Sequence, residues 1–117
     1  MRKFEYLKIY FPKYTVIPTC ADLDKFFPRE KEDNKNFTVG YLGTAGTWYL
    51  FEETIKAFNL FLAKDPTTRF LIINKGEHDY INDCLEKNDI PKENVTLVYS
   101  SFDEIPKLIS KMDVSIF

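Results

Sequence analysis

Apolar residues in this chain fall into two kinds of run, short unbroken blocks and longer stretches at helical spacing. Thr38 to Leu42 is a block that reads as a strand. Phe51, Ile55, Phe58 and Leu62 follow at i, i+4, i+7 and i+11, one face of a helix. Pro66 ends that helix and Thr47 is its expected N-cap. Phe70 to Ile73 is four apolar residues in a row, which suits a strand covered on both faces. Ile81, Cys84 and Leu85 mark a shorter helix that closes near Asn88 and Pro91. Val95 to Tyr99 reads as a strand with Val95, Leu97 and Tyr99 on one face.

Ser101-x-x-Glu104 has the spacing of a capping box, but Pro106 then lies beyond the first turn. Asp103 is the better N-cap for a helix whose inner face is Ile105, Leu108, Ile109 and Met112. Val114 to Phe117 reads as a further buried strand. Upstream, Tyr14 to Ile17 is a short apolar strand stopped by Pro18, and Asp22 to Asn36 a polar surface connection. The order is strand, helix, strand, helix, strand, helix, strand. The connections are too long for hairpins, so it predicts a Rossmann-like parallel sheet with helices on both faces. Residues 1–13 read as an N-terminal extension, or the start of an interdomain region, and 14–117 as the domain proper. A chain whose last run is a buried strand is expected to be a fragment, because natural domains cover their sheet edges.

With 117 residues the chain makes one domain, burying roughly 65% of its unfolded surface. Sixteen basic against 18 acidic residues give a net charge of −2, with no basic stripe to track a phosphate backbone. Nucleic acid is therefore not an expected partner. Cys20 and Cys84 lack metal-ligand or redox-motif spacing and read as free thiols. No apolar run approaches the ~20 residues that span a bilayer.

The chemistry concentrates at Val39-Gly-Tyr-Leu-Gly43-Thr-Ala-Gly46-Thr-Trp48, a strand entering a glycine-rich turn before a helix. The glycines either make a tight turn or form a phosphate corner, in which backbone N–H groups and the helix dipole meet an anion. The hydroxyls of Thr44 and Thr47 favour the second reading. At the next two strand ends Lys75 is a solvated lysine or a phosphate ligand, and Ser100-Ser101-Phe102 a helix entry or part of a ligand site. Trp48-Tyr49 is either packing or the wall of a sugar pocket.

His78, the only histidine, lacks partner spacing for a ligand or base, and Asp22-Leu23-Asp24 lies too far past its strand to hold a metal in a cleft. No metal or cofactor is expected. A dinucleotide-binding fold wants GxGxxG, whereas this chain has Gly40-x-x-Gly43-x-x-Gly46. A phosphoacceptor domain wants carboxylates where Leu42, Asn74 and Ser100 stand.

Several segments together resemble the C-terminal, donor-binding half of the retaining GT-B "group 1" glycosyltransferases. Val16-Ile-Pro-Thr-Cys-Ala-Asp22-Leu-Asp-Lys-Phe26 is similar to the family's Ile-Pro-Asn-Gly-Val-Asp-x-x-x-Phe entry into that half. Thr38-Val-Gly-Tyr-Leu-Gly43 resembles its opening strand and glycine loop. Phe70-Leu-Ile-Ile-Asn74, Val95-Thr-Leu-Val-Tyr99 and Ile105 to Val114 are similar to the later strands and helix.

The resemblance implies transfer of a sugar from a nucleoside diphosphate donor to an acceptor hydroxyl in polysaccharide or glycan synthesis. Configuration would be retained and no metal needed. The residues themselves put the donor phosphates at Gly43, Thr44, Gly46, Thr47 and Lys75. Lys75 stands in for a basic residue that many relatives carry near the glycine loop, where Trp48-Tyr49 stand here; the resemblance places the base against Ser101 and Phe102. The family's paired glutamates and its acceptor-binding N-terminal domain have no counterpart in this sequence. No catalytic residue is therefore expected in the piece, and it is expected to be inactive alone. The resemblance also implies a cytoplasmic parent enzyme, with room for peripheral association at the inner membrane face. Two alternatives stay open: another GT-B enzyme such as a nucleotide-sugar 2-epimerase, and a non-enzymatic α/β nucleotide-binding or regulatory module.

Overall fold

The computed structural model describes residues 15, 17–30, 36–46 and 50–117. Strand β1 (Thr38–Leu42) leads into helix α1 (Phe51–Lys64), then β2 (Arg69–Ile73) into α2 (His78–Lys87). A 3-10 turn (Lys92–Asn94) precedes β3 (Val95–Val98), and helix α3 (Ile105–Ile109) connects to β4 (Val114–Ser115). The four strands form one parallel sheet in the order β3-β2-β1-β4. Register is Leu42 beside Ile73 and Ile73 beside Val98, so three strands end level. The predicted α/β architecture is the one observed.

Side-chain alternation divides the sheet. Val39, Tyr41, Phe70 and Ile72 face Phe51, Ile55 and Phe58 of α1 and Ile81, Cys84 and Leu85 of α2, making the core. Val95 and Leu97 extend it, as predicted, but Tyr99 lies past the strand and is 63% exposed. Phe58 stacks on Phe70 with ring centroids 4.4 Å apart. Gly40, between Val39 and Tyr41, faces the other side, where Met112 after α3 lies against it. A Cβ there would meet the Met112 sulfur at 1.9 Å, so glycine lets the α3 segment approach β1. Leu108 lies on this same side with Leu71, Thr96 and Val98. Connections β1-α1-β2 and β2-α2-β3 thus run over one face, and β3-α3-β4 returns over the other.

The differences from expectation have local causes. Helix α1 begins after Leu50 without a side-chain cap, and Thr47 lies outside the described residues. Glu104, not Asp103, is the N-cap of α3, which puts Pro106 within the first turn. Asp103 instead pairs with Lys25 at 2.9 Å. The Glu104 carboxylate reaches back to the Ser101 amide at 3.2 Å and hydroxyl at 3.0 Å, which is half of the discounted capping box.

β4 is an exposed edge of only two residues rather than a buried strand, with Val114 37% exposed. Of the predicted strand at Tyr14 to Ile17, Tyr14 and Val16 lie outside the described residues, and Thr15 and Ile17 are in no strand. Ile17 is exposed. In the connection that follows, Asp22 closes a turn through its carbonyl and side chain. Cys20 and Cys84 are both free thiols, Cys84 buried in the core. Among the described residues no helix is long and apolar enough to cross a membrane.

Candidate donor-binding site

Because β1, β2 and β3 end level, their following loops open on one end of the sheet. The ladder continues one residue into them: the Gly43 amide donates to the Ile73 carbonyl at 3.1 Å, and the Asn74 amide to Val98 at 3.0 Å. Gly43 takes φ +149°, which side chains with a Cβ rarely adopt, so the glycine is required by the backbone. The Tyr41 hydroxyl donates to the Thr44 carbonyl and fixes the turn from below.

Between these loops and the start of α3 lies an open cavity of about 350 Å³, lined by Leu42, Gly43, Thr44, Ile73, Asn74, Lys75, Tyr99, Ser100, Ser101, Phe102 and Ile105. Five of the seven residues singled out in the sequence thus line one space: Gly43, Thr44, Lys75, Ser101 and Phe102. Gly46 is not part of this lining, and Thr47 lies outside the described residues, as do Trp48 and Tyr49. Phe102 is held from outside: Phe26 meets it edge-to-face at 5.8 Å, and the Lys25 ammonium lies 5.2 Å from its ring centre. On the other side of β1, where β4 marks the switch in strand order, Leu42, Gly43, Leu50, Ile116 and Phe117 border a second hollow of about 510 Å³.

The glycine corner itself is not bare. The Glu77 carboxylate, from the loop after β2, accepts the Ala45 amide at 2.7 Å and the Gly46 amide at 2.9 Å. Asn74 anchors it. The Asn74 side-chain amide donates to that carboxylate and to the Gly43 carbonyl, both at 2.9 Å, while its oxygen accepts the Gly76 and Glu77 amides at 3.1 and 2.8 Å. Sequence reading placed an anion at these amides but expected it to be a ligand. The anion present is the protein's own, and Gly43's amide is committed to the sheet.

Asn74 and Glu77 stand at a strand end that the sequence marked, but neither was singled out as a site residue; the structure places both against the glycine corner. A strand-end Asn three residues before a helix-start Glu was the visible signal, but the reach across 31 and 32 residues to the glycine turn was not. The His78 ring donates through Nε2 to the Asn74 carbonyl at 2.9 Å.

These donors hold the Glu77 carboxyl below its usual range, the Ala45 amide contributing most, then Asn74 and, after a smaller opposing effect of burial, Gly46. The unfolded chain therefore binds this proton more readily than the folded one. The resulting stability is present above the ordinary value near 4.5 and disappears as pH falls through the lower folded value. Melting temperatures of the native chain and Glu77→Gln should accordingly differ at neutral pH and converge in acid; a difference that persists unchanged into acid would rule this out.

No family model matches the chain, and no curated protein matches it in sequence. Among solved structures it is similar to a point mutant of S. aureus TarM, crystallised with fondaparinux, alpha-GlcNAc-glycerol and UDP. Identity is 19% and the TM-score 0.56, with 76% of this chain and 19% of that chain covered. The likeness shows the fold, a Rossmann-type α/β unit.

Proposed function

We propose that this chain is a donor-nucleotide-binding unit of a retaining "group 1" type glycosyltransferase, taking a nucleoside diphosphate sugar. The observation that carries this reading is the single cavity uniting Gly43, Thr44 and Lys75 with Ser101 and Phe102. The diphosphate lies over Gly43 and Thr44, where the threonine hydroxyl donates and the exposed Lys75 ammonium supplies the opposite charge. The base extends toward Ser101 and stacks on Phe102, whose ring Phe26 and Lys25 already hold. When the sugar leaves, negative charge grows on the diphosphate, and Lys75 stabilises it more than it does the intact donor. The structural neighbour's UDP makes uridine diphosphate the first ligand to try. The acceptor side and the transfer itself belong to the larger enzyme this reading implies.

The occupied amides of Ala45 and Gly46 favour one other reading, a non-enzymatic module in which this corner is a structural turn. Calorimetry with uridine diphosphate separates the two. The donor reading expects saturable binding that weakens about tenfold in Lys75→Ala, the loss of one charge-assisted contact, ~1.4 kcal/mol. Phe102→Ala should weaken it by a similar factor, but leave inorganic pyrophosphate binding unaltered. Absence of binding, or binding indifferent to both substitutions, removes the donor reading.

A further inference from the structure

The loop after β1 and the loop after β2 are joined by a carboxylate held the way a phosphate would be held. Two consecutive amides, Ala45 and Gly46, point at one oxygen each of Glu77, and the Asn74 side chain donates to the oxygen that Ala45 also meets. The fit is close: a Cβ on Gly46 would lie 2.7 Å from the Glu77 oxygen, so a side chain at residue 46 would displace the carboxylate from its present position. Asn74 and Gly43, which support this contact, also line the proposed donor cavity. The contact and the cavity are therefore neighbours with shared walls. Two anions cannot use the same amide pair, and a carboxylate left beside a diphosphate repels it.

We infer that Glu77 is an internal latch, a resident anion that closes the glycine corner and must swing off Ala45 and Gly46 before a diphosphate can engage them. The inference rests on the reading of this end of the sheet as a diphosphate site. With the latch shut, a ligand meets only Thr44 and Lys75; with it open, two further amides join them. The chain then holds an incoming diphosphate weakly at first, and tightly only after Glu77 is displaced into solvent. Asn74 keeps the loops aligned in both states through its bond to the Gly43 carbonyl.

The test titrates inorganic pyrophosphate and uridine diphosphate into the whole 117-residue chain and into Glu77→Gln and Glu77→Ala. Loss of the competing charge should tighten pyrophosphate binding about tenfold in both variants, ~1.4 kcal/mol. In the unsubstituted chain, the Glu77 carboxyl carbon and the Ala45 and Gly46 amide resonances should move together as pyrophosphate saturates. That second readout decides the matter if a variant does not fold. Equal or weaker pyrophosphate binding in folded variants overturns the latch, as does a Glu77 resonance that stays put at saturation. Failure to bind pyrophosphate in any form also overturns it. If uridine diphosphate binds while the Glu77 resonance is unmoved, the latch falls and the donor site stands. If pyrophosphate tightens in the variants but uridine diphosphate never binds, the latch stands and the donor reading falls.

Discussion

Asn74→Ala is expected to lower folding stability by about 2–4 kcal/mol and to loosen both loops that border the cavity. The residue is 4% exposed, and its side chain touches four groups at once. Its amide bridges the Gly43 carbonyl to the Glu77 carboxylate, while its oxygen receives the Gly76 and Glu77 amides. Alanine leaves these part-buried donors and acceptors without their partner, which costs more than a bond is worth when both sides are removed. Asn74→Asp is informative beside it: the shape survives, but the donor toward Glu77 becomes a second carboxylate. Urea denaturation should place both variants well below the native chain, and hydrogen exchange should quicken at Gly76 and Glu77. A loss under about 0.5 kcal/mol for the alanine variant would show that the network is not closed as described.

Phe58→Ala should be the most damaging change in the core, at about 3–5 kcal/mol. Phe58 is fully buried in α1 and stacks on Phe70 of β2, so one truncation removes the ring stack that joins the first helix to the second strand. Surrounding residues on the sheet side, Val39, Tyr41 and Ile72, are fixed by strand pairing and cannot move in to fill the space. Phe61, one helical step away, is only half-buried and stacks on Phe37. Its replacement by alanine should cost clearly less. Equal losses at the two positions would contradict the assignment of the core to the Phe58 face.

The fold was legible where apolar spacing is local. The helix face at Phe51, Ile55 and Phe58, the unbroken Phe70 to Ile73 run and the Ile81-Cys84-Leu85 stripe each predicted its element, because burial on one side dictates the period. It was less legible where an apolar run need not be buried. Ile17 and Val114 fell within predicted strands, yet Ile17 is exposed in no strand and Val114 sits on a two-residue edge strand. The α3 cap was misplaced because neither acidic side chain caps the helix: Glu104 turns back to Ser101, and Lys25, 78 positions away, takes Asp103.

At the site, Gly43 could be found from its turn position, and its backbone angle explains why. Lys75, Ser101 and Phe102 could be found from strand ends. What a single sequence does not display is that a carboxylate from one loop would occupy the amides of another. Charge alone does not reveal it, since Glu77 is one of 18 acidic residues, and only the level strand ends bring the two loops together.

A nucleoside diphosphate is proposed to occupy the space between Gly43, Lys75 and Phe102. The most direct measurement is an amide-resonance titration of the isotope-labelled chain with uridine diphosphate. Saturating shifts are expected at Gly43, Thr44, Lys75, Ser101 and Phe102. Little change is expected at Arg69 and Thr96, which line a separate hollow of about 380 Å³ on the α3 side. No shifts at millimolar ligand, or shifts centred on Arg69 and Thr96, would contradict that occupancy.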